Sequence, residues 1–412
     1  MKAFELPMPS LGVDLVSLET SLPDGAVRRA TNITIERGGG FQMRPGHSLL
    51  TALPGAHSLW RSPVQTRVLV AAGETLYDVD LPSGSVAPIF VGLPPLEKIS
   101  YEDVGTDIYF TCRGVMRKIA LDGSVRVPGV CELAGDVPDV AETLGGLFPG
   151  RYGVAYSLVN DLGEESPISG TAWIDLPTGG GIMVSAIESA ADVVSVNLYV
   201  TSANGDELYH HSTSVYAATA SITDQRLQKM AALRSRQILP SGNIVRHFNG
   251  RLYVVDGKWI RVSDPLNYGV SPVKGGFMGF KRTITMFEPV RGGIFVGLRE
   301  RTMFLQGSHE GFVQIPVSQH GALSGSCKVP ADYFNETIAP NRTEPVAVWA
   351  SDIGLAVGRP DGTVAYPQQG RICGVSGGDS STLFALHEGI KQVVFCVDSM
   401  VSGSGGAADS II

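Results

Sequence analysis

The sequence predicts an all-β protein: a β-propeller carrying an inserted small β-sandwich. Three observations predict it. First, one plan recurs along the chain: a strand of four or five apolar or aromatic residues, a Gly turn, a second strand, then an Asp- or Ser-Gly turn. It stands at residues 66–80, 106–123, 249–264, 291–307 and 353–366, where runs of Val, Ile, Tyr, Phe and Trp bounded by Gly and Asp read as hairpins. Second, Val68 to Ile108 and Leu252 to Ile294 are each separated by roughly forty residues, one propeller blade. Third, 50 Gly and 25 Pro in 412 residues leave little room for long helices, while 43% hydrophobic residues suffice for a packed core. A four-stranded blade cannot bury both faces alone, and stacking blades does so. The competing arrangement, a plain sandwich of many hairpins, does not usually repeat near this period.

Residues 1–20 are mildly apolar and read as an extended arm. Residues 21–142 form the first part of the propeller. Pro23-Asp24-Gly25 is turn chemistry, because Pro fixes φ at the first corner and Gly accepts a positive φ. Residues 32–36 alternate as a half-buried strand, Gly38-Gly39-Gly40 reverses the chain, and residues 41–44 return. This Gly turn is flanked by Arg but matches neither a P-loop nor a dinucleotide fingerprint.

Residues 143–224 change character and are assigned to the inserted sandwich. Tyr152, Val154, Tyr156 and Leu158 share one face of a strictly alternating strand, the turn 160–167 follows, and further strands are expected at 171–176, 182–186, 195–201 and 207–213. Removing roughly 80 residues between Ile108 and Leu252 leaves space for one more blade, as an insertion requires. Residues 225–247 connect back. Within 224–237 a helix is expected, capped by Asp224, with Leu227, Met230, Ala231 and Leu233 near one face. Arg226, Lys229, Arg234 and Arg236 make it basic: a solvated connector, or a strip for nucleic acid or an acidic partner. Residues 248–400 complete the propeller, with loops at 264–280 and 370–381 and a closing strand pair at 383–397. The Gly/Ser-rich tail 401–412 is flexible or docks on a neighbour.

Composition and motif content exclude several functions. The net charge of −8 argues against a surface built to grip phosphates. No basic-then-apolar leader opens the chain, so no secretory signal is expected, and no stretch has the length of a membrane span. Cys112, Cys131, Cys327, Cys373 and Cys396 are scattered and never form Cys-x-x-Cys, which reads as free thiols in a reducing compartment. Without a leader, the sequons at Asn32, Asn335 and Asn341 read as chance. His210-His211 are adjacent, so on a regular strand they face opposite sides and cannot share a metal. Asp78, Asp80, Asp256 and Asp264 fall mostly in turns, where Asp serves backbone geometry. There is no Gly-x-Ser-x-Gly elbow. No catalytic, cofactor-binding or metal site is therefore assigned, and no enzyme activity is expected.

Several motifs, in order, resemble tail proteins of short-tailed bacteriophages, the nozzle or hub family below the portal. They are Leu22, Pro23, Asp24, Gly25 and Ala26, then Asn32, then Arg44-Pro45-Gly46; Phe248 with Asn249-Gly250-Arg251-Leu252-Tyr253 and Ser263; the strand from Gly292 to Val296; and residues 349–358. The turn at 163–167 is similar to that of the fibronectin-III-like module in such proteins. The resemblance implies a packaged-DNA-stabilising structural virion protein, assembled in the host cytoplasm. It implies a ring, most simply a homo-hexamer. The portal or adaptor ring would lie above, tail-tip or fibre proteins alongside, and double-stranded DNA would pass transiently through the channel. Under this reading Arg28, Arg29, Arg37 and Arg44 are expected at subunit contacts. The alternative is a carbohydrate-binding or glycoside-cleaving propeller acting as a receptor-binding protein, favoured if Trp60, Trp173, Trp259 and Trp349 cluster.

Overall fold

A computed structural model describes residues 11–35, 41–43, 46, 48–130, 137–188, 192–228, 236–387, 389–401 and 407–408. The fold is all-β, with propeller-type blades and an inserted β-sandwich. The helical segments among the described residues are two single 3-10 turns, Glu19–Ser21 and Ala331–Tyr333. The chain divides into two compact units, Leu53–Gly279 and Met1–Ala52 with Phe280–Ile412.

The unit Leu53–Gly279 holds three four-stranded antiparallel blades. Blade 1 is Ala56–Arg61, Val68–Ala72, Thr75–Val79 and Val86–Val91. Blade 2 is Ser100–Val104, Asp107–Cys112, Val115–Ile119 and Val125–Arg126. Blade 3 is Ile244–Phe248, Arg251–Asp256, Trp259–Val262 and Phe277–Gly279. Blades 1 and 2 stack through Leu69, Ala71, Leu76, Ile108, Phe110 and Ile119, all fully buried. Blades 2 and 3 stack through Tyr109, Met116, Val245, Leu252 and Val254. The repeat is visible in three cross-blade hydrogen bonds whose partners are all 41 residues apart: the Ile99 N–H donates to Ser58 Oγ, Ser62 Oγ to Asp103, and Gln65 Nε2 to the Thr106 carbonyl.

Between blades 2 and 3 lies the sandwich. One sheet orders Asp139–Leu147, Gly180–Ser185 and Ala220–Ile222; the other orders Ala172–Leu176, Gly150–Asn160, Val193–Thr201 and Leu208–Val215. Tyr152, Val154, Tyr156 and Leu158 point into its core as their alternation demands, against Ile182, Val184, Val196 and Leu198.

The other unit holds blade 4 (Ile284–Val290, Gly293–Leu298, Thr302–Gln306, Val313–Ser318) and blade 5 (Cys327–Val329, Val346–Ser351, Gly354–Gly358, Val364–Ala365). They share a core of Met286, Phe295, Phe304 and Trp349. The Phe295 ring lies 5.3 Å from Trp349. A long hairpin, Val375–His387 with Ile390–Val401, covers the far side of blade 5 through Val393 and Phe395. The described part of the arm, from Leu11, is tied down. Gly12–Val13 pairs in parallel with Ala26–Val27, and Leu15 is buried beside Ile372 and Val375.

Three expectations change. In the segment expected to be helical, residues 224–228 are non-helical and Arg236–Ile238 is a strand paired with Val270–Pro272; residues 229–235 lie outside the described residues. Cross-strand pairing takes residues 236–238, the end of that segment. The loop expected at 264–280 contains that Val270–Pro272 strand and the outer strand of blade 3. The loop expected at 370–381 becomes strand from Val375, because residues 375–376 pair with Ser399 and Met400.

Candidate functional site

The best organised polar cluster fastens the sandwich to blade 2. Asn160 closes the turn after the central sandwich strand: its Oδ1 accepts the N–H groups of Leu162 and Glu164, at 3.0 and 2.9 Å. Gly163 takes φ +78°, a left-handed position that suits Gly. The turn thereby aims Glu164 at blade 2, where Lys118 Nζ donates to its Oε1 at 2.7 Å. The Lys118 side chain is only 2% exposed. Its neighbour Arg126 donates from Nη1 to both carboxylate oxygens of Asp161. A buried ammonium needs such a partner, since an unpaired charge there is costly.

Glu165 turns the other way. Its Oε1 accepts hydrogen bonds from Asn197 Nδ2 at 2.7 Å, Tyr199 OH at 2.6 Å and the Ser157 hydroxyl. Burial, and then the hydrogen bond to the Glu165 carboxylate, push the Tyr199 phenol far above its ordinary value. Two adjacent carboxylates thus do different work, one joining two domains and one joining three side chains within a sheet.

The residues considered for chemistry shape turns or are held by local partners. Asn249 (φ +48°) and Gly250 (φ +72°) form the tight turn of blade 3. Ser263 Oγ accepts the Leu252 N–H, and Arg251 donates to the Ser263 carbonyl. Ser351 closes the turn between the second and third strands of blade 5 by donating to the Gly354 carbonyl. Asp78 is held by Arg67, Asp264 by Arg236, and Asp80 caps Ser83; Asp256 lies exposed at a turn. His210 and His211 sit at a β-bulge and are held separately, His210 by Gln228 and Thr213 and His211 by Asp224. No cluster of His, Cys, Asp or Glu able to hold a metal occurs among the described residues. Nor is any helix there long and apolar enough to cross a membrane.

The four Trp each have a local partner. Trp60 stacks on Tyr101, Trp173 carries Arg151 over its ring, Trp259 meets Phe277 edge-on, and Trp349 is fully buried. Arg28 donates to the Asp14 carbonyl and Arg29 to Thr31; Arg37 and Arg44 lie outside the described residues. The outward face of the long hairpin carries Leu383, 51% exposed, and Ile390, 43% exposed. Sequence reasoning missed Lys118. The signal was a lysine two positions after the buried Met116, on the same face of the strand Val115–Ile119.

No family model matches the chain, and no curated sequence matches it. Solved structures that it resembles include Saccharomyces cerevisiae Sqt1, with 9% identity, a TM-score of 0.31, and coverage of 79% of this chain and 76% of that one. BBS1N in complex with ARL6DN gives 10% identity, a TM-score of 0.29, and coverage of 84% and 93%. The N-terminal domain of Nup159 gives 10% identity, a TM-score of 0.29, and coverage of 82% and 72%. At such TM-scores these likenesses carry no argument, and the description of the blades rests on their own pairing and packing.

Proposed function

We propose that the chain is a structural virion protein of a short phage tail, a nozzle or hub subunit without catalytic chemistry. Six copies would form a ring below the portal or adaptor, beside tail-tip or fibre proteins, retaining DNA and then conducting it. Assembly would take place in the host cytoplasm. One observation carries this reading: the residues that bear the resemblance shape backbone. Asn249, Gly250, Ser263 and Ser351 close the turns of blades, and Trp349 fills the core between two of them. A motif set that specifies scaffold rather than a reacting centre suits a protein whose work is mechanical. The acidic net charge suits a conduit, because repelled phosphates slide rather than stick.

The rigid fastening of the sandwich fits the same role, since a module that positions neighbours must not swing. Mass measurement of the purified protein, with a low-resolution image, tests the proposal. A closed hexameric ring supports it. A protein that stays monomeric at all concentrations overturns it. In the ring, Arg28, Arg29, Arg37 and Arg44 belong at subunit contacts, and an image placing all four in the bore refutes that assignment.

A further inference from the structure

The unit containing blades 4 and 5 holds a cavity of about 450 Å³ where three turns meet. They are residues 291–292 of blade 4, the loop 339–344 leading into blade 5, and residues 359–361 of blade 5. Its floor is apolar, with Ala339 and Val346 each 1% exposed. The turns approach closely because Gly292 has no side chain: a Cβ there would fall 2.1 Å from the Pro360 carbonyl oxygen. Arg359 is a strut, donating from Nε to the Ile338 carbonyl at 2.7 Å and from Nη2 to that of Thr337 at 2.8 Å. The Asn335 carboxamide oxygen accepts the Ile338 N–H at 2.9 Å. The cavity is therefore built and held before any ligand arrives.

The rim decides the ligand class. Arg291 donates from Nη1 to Glu344 and is otherwise open, its side chain 78% exposed. Asn341 turns its oxygen inward to the N–H and hydroxyl of Thr343, at 3.1 and 2.7 Å, which leaves its amide hydrogens as outward donors. Asp361 accepts from Thr363 with Oδ1 only, leaving Oδ2 as an acceptor. Donors and acceptors thus alternate around an apolar floor, and the formal charges of Arg291, Arg359, Glu344 and Asp361 cancel. A phosphate-rich ligand would meet two carboxylates, and a hydrocarbon would leave the rim unpaired. A molecule whose hydroxyls both donate and accept, with a C–H face for the floor, matches both features. We propose that this cavity is a binding site for an uncharged saccharide. The proposal does not rest on ring assembly and would stand for a monomer.

The test uses the purified full chain on an array of neutral and acidic oligosaccharides, with affinities then measured by calorimetry for those retained. Arg291→Ala removes one donor. Asn341→Asp keeps an oxygen to cap Thr343, removes the amide donors and adds a negative charge to the rim. Both side chains are on the surface, and thermal melts check that each variant folds. The expected result is binding of at least one neutral glycan, weakened by about tenfold in each variant, the loss of one good hydrogen bond. Raising salt to about 0.5 M should change that affinity by less than about twofold, since no charge is neutralised. The proposal is overturned if no neutral glycan binds, if both variants bind as the parent does, or if only acidic glycans bind with steep salt dependence. Ring formation should be unaffected by either variant, so this proposal and the tail proposal fail separately.

Discussion

Lys118 and Glu164 lie 46 positions apart in the chain and 2.7 Å apart in space, one in a blade and one in the inserted sandwich. With the ammonium only 2% exposed, this pair is more deeply buried than Arg126 with Asp161, another ion pair that joins blade 2 to the sandwich. Glu164→Ala should destabilise the protein by about 3 kcal/mol, the low end for a broken buried pair because the glutamate is 21% exposed. The double change Lys118→Met with Glu164→Leu should recover most of that loss, since no charge is then stranded. Urea unfolding measures both, and a single variant indistinguishable from the parent would sink the argument.

Tyr199→Phe removes one of three donors to Glu165 Oε1 and should cost about 1 kcal/mol. Glu165→Ala strands all three donors and should cost more than twice as much. Thermal melts that rank the two variants in the opposite order would contradict the role of Glu165 as the shared acceptor.

The Asp14 carboxyl is held below its ordinary value of 3.8, first by the Ser17 N–H and then by its hydroxyl, with Val16 N–H and Arg28 helping against burial. A depressed carboxylate contributes stability that is present above its unfolded value and lost as pH falls through the folded one. The arm should therefore loosen only below about pH 3.8, seen as faster hydrogen exchange at Val16 and Ser17. Asp14→Asn should abolish that pH dependence. Equal acid sensitivity in parent and variant would disprove the assignment.

Gly358 packs flat against a ring of the next blade. A Cβ there would fall 2.5 Å from Phe295 Cε2. Gly358→Ala should destabilise by roughly 1–3 kcal/mol through overpacking. Adding Phe295→Leu should relieve the clash, and a double variant less stable than the sum of the two singles would show that these blades are coupled otherwise.

Much of the blade architecture was legible because it is written locally. Each blade needs only two-residue periodicity and Gly, Asn or Ser at turns, and those marks survive in one dimension, as Asn249-Gly250 and Ser263 illustrate. The alternation of Tyr152, Val154, Tyr156 and Leu158 likewise fixed the buried face of the sandwich. The strand Val270–Pro272 was not legible, since its three residues acquire a partner only when residues 236–238 arrive beside them.

By itself, then, the sequence determined strand-forming segments, their turns, the near-forty-residue repeat and the inward faces. These depend on φ preferences and side-chain alternation over a few residues. Only tertiary structure decided which charges meet, because Lys118 with Glu164, or Arg291 with Glu344, become neighbours through the stacking of sheets. It also decided where Gly is obligatory for packing, at Gly292 and Gly358, because the atoms that forbid a side chain belong to the neighbouring blade, far along the chain.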